Sequence, residues 1–491
     1  MTDPVIARKL ERLASGKDPR VLDLFAGCGG ISLGFNRAGF KIDAAVEFDP
    51  LAALSHATNF HGELEGPLFE SHAKARDITK TEPSDLVAEL DLTDTISEAF
   101  DVVVGGPPCQ AYARVGRAKL REVAQHPEAF RVDARGNLYL RYLHYVRETK
   151  PLALLMENVP DIMNYGGHNV VGEIAEALAD MGYVPRYTLL NASRFGVPQM
   201  RDRVILLAFH ESLGAVPTFP EPTRHVDLPP GYSGTRAVAF KNIDPILPGA
   251  FIDEPIGPDT LPYAVTAKEA VGDLPPVTLH LEGKLKRGAR RFDELTPYEP
   301  SRGLSEYAAD MRSWPGFEST DGVSDHVIRY LPRDTFIFRE MPHGAEYPVA
   351  HQTAVRLFEA EVAKLEGSGK RLSVVDRAAL HRKMVPPYPV GNFPNRWWKL
   401  RPDQPSRTLL AHIGKDTYSH IHYDSRQART ISVREAARLQ SFPDGFIFRG
   451  TMNPAFRQIG NAVPPMLSFA LAKHLRSSMD QALSLRSRKA A

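Results

Sequence analysis

Short apolar runs alternate with helical patterns across the first 220 residues, and this alternation limits the possible folds more than any other feature of the chain. Strands separated by helices imply a mostly parallel sheet covered on both faces. Val21-Leu22-Asp23-Leu24-Phe25 is the first apolar run. Ala26-Gly27-Cys28-Gly29-Gly30 turns the chain, and Ile31-Ser32-Leu33-Gly34-Phe35 opens a helix. Further strands are predicted at Ile42–Val46, Val102–Val104 and Leu152–Met156, with a later pair at Val184–Leu190 and Val204–Phe209.

From about residue 217 the pattern breaks. Pro217, Pro220, Pro222, Pro229, Pro230 and Gly231 mark an irregular connection. This reading divides the chain into a domain at 1–225, completed by 452–491, and a second domain at 226–451. Within the second, Ala354–Leu365 is helical, and Ser432-Val433-Arg434-Glu435 fits a capping box. Pro465–Leu475 reads as an amphipathic helix, and the polar tail after Ser477 is expected to fray.

Composition excludes several classes. The 491 residues are 43% hydrophobic and 24% charged, the balance of a soluble globular protein. No run approaches the roughly 18 apolar residues of a membrane helix, and Met1-Thr2-Asp3-Pro4 lacks a signal pattern. A cytoplasmic protein is therefore expected. The net charge of +1 gives no global basic field, so a nucleic-acid partner would need a locally basic cleft. Cys28 and Cys109 are the only cysteines. They rule out a disulfide scaffold and a cysteine-rich zinc site, so any thiol chemistry falls on one of these two.

The glycine turn after the first strand suits a nucleotide-like ligand. Glycines let the backbone approach the ligand, and a helix N-terminus offers free N–H groups. Glu47, 20 residues after Gly27, ends the second strand, where a carboxylate accepts ribose hydroxyls. The spacing does not match Gly-x-Gly-x-x-Gly, which disfavours a nicotinamide cofactor; S-adenosylmethionine fits such a turn equally well. Gly105-Gly106-Pro107-Pro108-Cys109-Gln110 follows the third strand and carries a thiol to the carboxyl edge of the sheet, where open α/β sheets bind ligands. The two prolines stiffen that loop beyond what packing a small cysteine requires.

With these residues in place, the sequence resembles the cytosine carbon-5 DNA methyltransferase family. Six segments occur in the family's order: Asp23 to Gly30, Pro107-Pro108-Cys109-Gln110, Glu157-Asn158-Val159, Gln199-Met200-Arg201-Asp202-Arg203, Arg429 to Pro443, and Gly460-Asn461-Ala462-Val463-Pro464. The resemblance implies a Rossmann-like S-adenosylmethionine-dependent methyltransferase sheet with a smaller, irregular target-recognition domain. It implies Cys109 as nucleophile on cytosine carbon 6, which pushes electron density to carbon 5. Glu157 is implied as the group that holds and protonates the ring. Arg203 is implied on the cytosine carbonyl oxygen, and Arg201 on the loop or a phosphate. The implied cofactor set is Asp23, Phe25, Ala26, Gly27, Gly29, Gly30, Glu47, Phe48, Asp77, Ile78, Pro107, Asn461 and Ala462. The product is S-adenosylhomocysteine, and no metal is implied.

A base inside a duplex cannot reach Cys109, so the target must flip out. Arg114, Arg117, Lys119, Arg121, Arg131 and Arg135 resemble a phosphate-contacting loop that closes over it. Gln110, Arg114, Arg117, Gln199 and Thr408 form the implied DNA contacts. Ala111-Tyr112-Ala113 departs from the family, whose members usually place a small polar residue there. In the recognition region, Lys284, Lys286, Arg287, Arg290 and Arg291 make a basic cluster, and Arg396-Trp397-Trp398-Lys399 sets aromatics among cations. Trp397 and Trp398 read as core residues in preference to base wedges.

The expected partner is double-stranded DNA, bound by a monomer, with associated restriction or other phage-defence proteins. One alternative is a tRNA cytosine-5 methyltransferase; another is a non-catalytic DNA-binding relative. Amine methylation would need a polar residue before Pro-Pro-Tyr, and Val385-Pro386-Pro387-Tyr388 offers valine instead.

Overall fold

The computed structural model describes residues 3–92, 94–108, 138–243, 247–285, 294–392, 394–415 and 418–490. It forms two units. The first comprises Met1–Ala264, Ile447–Arg449 and Ala462–Ala491, and the second comprises Val265–Phe446 and Gly450–Asn461.

The first unit is built on six strands: β1 (Arg20–Leu24), β2 (Lys41–Val46), β3 (Val102–Gly105), β4 (Ala153–Asn158), β5 (Tyr183–Asn191) and β6 (Asp202–His210). Their order is β2-β1-β3-β4-β6-β5. The pairs from β2 to β4 are parallel, and β6 runs antiparallel to both β4 and β5. The mostly parallel sheet expected from the alternation is present, and the late strand pair is its antiparallel edge.

Side chains alternate between the two faces of a strand. Leu22, Leu24, Val103, Leu154 and Met156 enter one apolar cluster, with residues of the helices Leu138–Thr149 and Val170–Asp180. Val21, Val102, Val104, Ala153 and Leu155 enter the other, with α1 (Pro4–Ala14), α2 (Gly30–Arg37) and the helix Pro465–Ala490. Both faces are covered, which is why these strands read as continuous apolar runs.

Two expectations are corrected here. The tail after Ser477 does not fray: the helix runs from Pro465 to Ala490, and Met479, Ala482 and Leu483 are buried on its inner side. Three small or apolar residues spaced along one face hold it down among polar neighbours. The boundary at 225 also moves, because residues 226–264 fold with the sheet. Beyond its prolines the chain returns along β5, where Tyr187 N donates to Ala250 O at 2.7 Å and Ile252 N to Tyr187 O at 3.0 Å.

The second unit has helices and irregular segments, with short strand pairs at Thr296–Pro297 with Gly322–Val323 and at Trp397–Lys399 with Tyr418–Ile421. The expected helix at Ala354–Leu365 lies inside Tyr347–Gly367. The capping box forms: Glu435 N donates to Ser432 Oγ at 3.1 Å and Ser432 N to Glu435 Oε2 at 2.7 Å. It opens the helix Val433–Leu439, all of whose residues are buried. Arg434 reaches Asp325 at 2.8 Å, and Arg438 reaches Asp444 at 2.5 Å and Asp273 at 3.3 Å. Arg429 pairs with Glu435 at 2.6 Å. Buried cations survive only with such partners.

Candidate active site

The glycine turn leaves β1 through Phe25, whose φ of +59° is costly for a residue with a side chain. Each glycine that follows has a different task. A Cβ on Gly27 would meet nothing within 4 Å, and its φ is +57°. A Cβ on Gly29 would lie 2.3 Å from the Phe60 ring, and one on Gly30 would lie 2.2 Å from the Val463 carbonyl oxygen. Gly29 and Gly30 therefore admit close protein packing, and Gly27 alone faces open space. Ala26 is buried and donates from its N to Val46 O at 3.2 Å, which ties the turn to β2.

Glu47 braces the same turn. Gly27 N donates to its Oε2 at 2.8 Å, and Asp49 N donates to its Oε1 at 2.7 Å. Burial pushes this carboxyl upward, against those backbone bonds. Beside it Phe48 is 73% exposed, an aromatic face with nothing of the protein over most of it. Arg76 N donates to Glu47 O at 2.6 Å, which brings Asp77 and Ile78 alongside. Ile78 is buried, and Asp77 accepts from Thr79 N at 3.0 Å. Arg141 of the helix Leu138–Thr149 holds this loop from below, donating to Ile78 O at 2.7 Å and Thr81 O at 2.6 Å. Sequence reasoning missed Arg141; the available signal was a single arginine inside the apolar run Leu138-Tyr139-Leu140-Arg141-Tyr142-Leu143.

Asp23 does not reach the ligand side of the turn. It is fully buried beneath it and accepts from Ser32 Oγ at 2.6 Å; Ser32 Oγ lies 2.9 Å from His56 Nε2. Burial pushes Asp23 up to about 7 and His56 down to about 3. Cys28 is also fully buried, and burial pushes its thiol far above the usual range. A thiol held neutral in this way is no nucleophile. An open space over Gly27, a carboxylate at a strand end and a bare aromatic face suit a nucleoside-bearing ligand.

The second group of residues gathers at the carboxyl ends of β3 and β4. Gly105 of β3 pairs with Met156 of β4, so the Gly106-Pro107-Pro108 exit starts beside Glu157. Asn158 Nδ2 donates to Pro107 O at 2.7 Å, fixing that exit to β4. A Cβ on Gly106 would lie 3.0 Å from Glu157 Oε2. On its other side Glu157 Oε1 lies 2.5 Å from Arg203 Nε, a charge pair whose N–H is not aligned as a hydrogen bond. Arg203 Nη1 also donates to Asp202 O at 2.7 Å. Arg201 is buried, donates from Nη2 to Ala462 O at 3.3 Å, and is pushed down by burial and by Arg203 beside it. Gln199 is fully buried next to them, its N donating to Val197 O at 2.7 Å.

Glu157, Arg201, Arg203 and Pro107 are thus brought together, and Ala462 joins them through its carbonyl. Cys109, Gln110, Arg114, Arg117 and the other cations up to Arg135 lie outside the described residues, as do Lys286, Arg287, Arg290 and Arg291. In the second unit Asn461 is exposed at the end of the helix Met452–Asn461, and Thr408 is half-buried. Trp397 is buried against Phe338, Tyr347 and Tyr418. Trp398 is half-buried under the Arg407 guanidinium, 3.4 Å from its ring centroid. Lys399 is buried too, its ammonium bonded to Phe338 O at 2.8 Å and Ser425 Oγ at 2.6 Å. Among the described residues no group of three or more His, Cys, Asp or Glu is arranged to hold a metal, and no helix is long and apolar enough to cross a membrane.

The family model described as C-5 cytosine-specific DNA methylase matches residues 19–477. A protein of Oceanobacillus iheyensis named as a type II methyltransferase is 37% identical over 94% of this chain and 96% of its own. The type II methyltransferase M.AgeI of Thalassovita gelatinovora is 30% identical over 93% of this chain and 99% of its own. Among solved structures, an E. coli chain described as a prophage-encoded DNA modification methyltransferase superposes with a TM-score of 0.56 at 21% identity, covering 94% of this chain and 100% of that one. That likeness shows a shared fold.

Proposed function

The chain belongs to the C-5 cytosine-specific DNA methylase family and methylates carbon 5 of cytosine in DNA; from that premise we propose that it uses S-adenosylmethionine and a covalent bond to Cys109, acting on a cytosine flipped out of a specific double-stranded sequence. The observation that carries this reading is the placement of Glu157 between the Pro107-Pro108 exit and Arg203 at one edge of the sheet. By elimination the nucleophile falls on Cys109, since Cys28 is the only other thiol and is buried and neutral.

The Cys109 thiolate forms a bond to carbon 6 of the cytosine, and the carbon 5–carbon 6 π pair moves to carbon 5. Glu157 in its protonated form donates to the ring nitrogen and accepts from the exocyclic amine; it passes its proton to the ring nitrogen as density builds and takes it back when the carbon 6–sulfur bond breaks. Arg203 holds the carbonyl oxygen, and Arg201 steadies the turn through Ala462. S-adenosylmethionine, when bound over Gly27, would supply an electrophilic methyl group: the carbon-5 pair becomes the new bond to that methyl as the methyl's bond to the sulfonium sulfur breaks, and S-adenosylhomocysteine leaves. A base then takes the carbon-5 proton, and the carbon 6–sulfur bond breaks as the double bond re-forms. The second unit is proposed to read the target sequence, with Thr408 among its DNA contacts. The type II names of its relatives support a role beside a restriction enzyme or another phage-defence protein. The enzyme is proposed to act as a cytoplasmic monomer.

The test is a covalent trap. Purified protein, S-adenosylmethionine and duplex DNA bearing 5-fluorocytosine at the target form a denaturation-resistant adduct, because fluorine blocks the elimination. Cys109→Ala abolishes it. An adduct that persists in Cys109→Ala overturns the nucleophile, and a tRNA that is trapped in place of the duplex overturns the substrate.

A further inference from the structure

Arg203 sits on a strand whose position is fixed from its opposite face. In an extended segment Arg201 and Arg203 project to one side and Asp202 to the other. On that other side lies Arg236, from the helix Pro230–Ala239. Its Nη2 lies 2.7 Å from Asp202 Oδ1 and its Nε 3.1 Å from Asp202 Oδ2, a two-pronged contact. Its Nη1 lies 2.6 Å from Glu254 Oε2. Glu254 in turn lies 3.5 Å from Arg194, and Asn191 Nδ2 donates to Asp202 Oδ1 at 2.7 Å. From the same helix, Tyr232 Oη donates to Met200 O at 2.7 Å. Every one of these groups lies in the first unit.

We propose that Arg236, with Tyr232, is a positioning residue for the cytosine clamp: it pins Met200 and Asp202 on either side of Arg201 and thereby aims Arg203 at the carbonyl oxygen of the flipped base. Two features argue against a general structural brace. The contact is aimed at the one acid between the two arginines, and Tyr232 seizes the backbone of Met200, so the residues on both sides of Arg201 are held by a single helix. Packing alone would not require a bidentate guanidinium in a half-buried place; a Met or Leu there would cover the same strand. Burial would push Arg236 down, but Asp202 and Glu254 outweigh it and keep it above its usual range. Such a tie holds its partner in place whatever the pH near neutrality.

The inference rests on the reading of Arg203 as the carbonyl clamp, so the experiment perturbs both ends. Single-turnover methylation is measured with duplexes carrying either cytosine or 2-thiocytosine at the target, for wild type, Arg236→Met, Arg236→Lys and Glu254→Gln. Sulfur is the weaker acceptor, so wild type slows on the thio duplex. Arg236→Met is expected to slow on cytosine by roughly 10- to 100-fold, the scale of a misplacement of about 1 Å. It should also lose most of the remaining discrimination between oxygen and sulfur, because the clamp is already displaced. Arg236→Lys recovers part of the rate as a single-pronged charge, and Glu254→Gln loses less. Affinity for S-adenosylhomocysteine is read in parallel, because Arg201 also ties this segment to Ala462 beside Gly30; a loss of affinity that accounts for the whole loss of rate overturns the positioning role. If Arg236→Met fails to fold, the Lys and Glu254→Gln variants carry the same comparison. Losses that simply multiply, with discrimination unchanged, overturn the positioning role and leave a brace. A wild-type enzyme indifferent to the sulfur overturns the Arg203 clamp itself, and the proposal with it.

Discussion

Gly27 and Gly30 stand three residues apart in one turn, and replacing each by alanine should break different things. On Gly30 the new Cβ would lie 2.2 Å from Val463 O and 3.2 Å from the Ala462 Cβ. Comfortable contact needs about 3.5 Å, so the helix and the Val463 backbone must part by about 1 Å. Overpacking of this kind costs about 1–3 kcal/mol. Alanine returns about 1 kcal/mol inside a helix, but Gly30 is only its first residue, so little of that is recovered. At about 2–4 °C per kcal/mol for a body of this size, Gly30→Ala lowers the melting temperature by about 2–12 °C. On Gly27 the Cβ meets no protein atom. The strain of a side chain at φ +57° costs about 1–2 kcal/mol, and the methyl intrudes on the space assigned to the donor. Gly27→Ala should therefore weaken S-adenosylhomocysteine binding by more than about tenfold, a loss worth at least about 1.4 kcal/mol. Differential scanning fluorimetry reads the first quantity and isothermal titration calorimetry the second. A Gly30→Ala protein as stable as wild type would refute the Val463 seat. A Gly27→Ala protein that binds the analogue normally would refute the location of the donor.

Two further outcomes follow from buried charge. Asp444→Asn removes the close partner of Arg438, which is then left with Asp273 at 3.3 Å; breaking such a buried pair costs about 3–5 kcal/mol, read by calorimetry as an earlier transition, and a loss below about 1 kcal/mol refutes the pairing. Asp23 has a folded pKa of about 7 against an unfolded value of 3.8, so between these the folded state binds the extra proton and stability falls as pH rises through the window. Asp23→Asn escapes that loss, so its melting temperature relative to wild type should rise by several degrees between pH 4 and pH 8, and a flat difference contradicts the buried, protonated carboxyl.

The sheet was legible in the sequence because strands covered on both faces are apolar at every position, as in Val102-Val103-Val104 and Leu154-Leu155-Met156. The glycine turn was legible as a turn, but not the division of labour within it. Gly29 and Gly30 are set by Phe60 and Val463, and nothing near them in sequence announces those partners. Glu157 and Arg203 were named from motif order, whereas their approach depends on β6 entering the sheet antiparallel beside β4. Arg236 was hidden in a proline-rich stretch read as a connection, and only the return of the chain along β5 brings it to Asp202. The C-terminal tail misled because Met479, Ala482 and Leu483 are few and widely spaced among polar residues. Their burial depends on a surface made by α1, α2 and the sheet.

The seat beneath Gly30 also sets a timetable. Ser468 Oγ bonds Ile31 O across 437 residues of chain, so the glycine turn gains its support only after residues 462–470 have been made. At ribosomal speeds of 5–20 residues per second, roughly 20–90 s separate the two halves of that contact. During this interval the nascent chain holds the turn without the floor it packs on, while the whole second unit, an insertion between the two parts, is already being synthesised. A partly made copy therefore lacks a finished glycine turn, and DNA meets a chain with that turn complete only when the full set of packing partners has emerged.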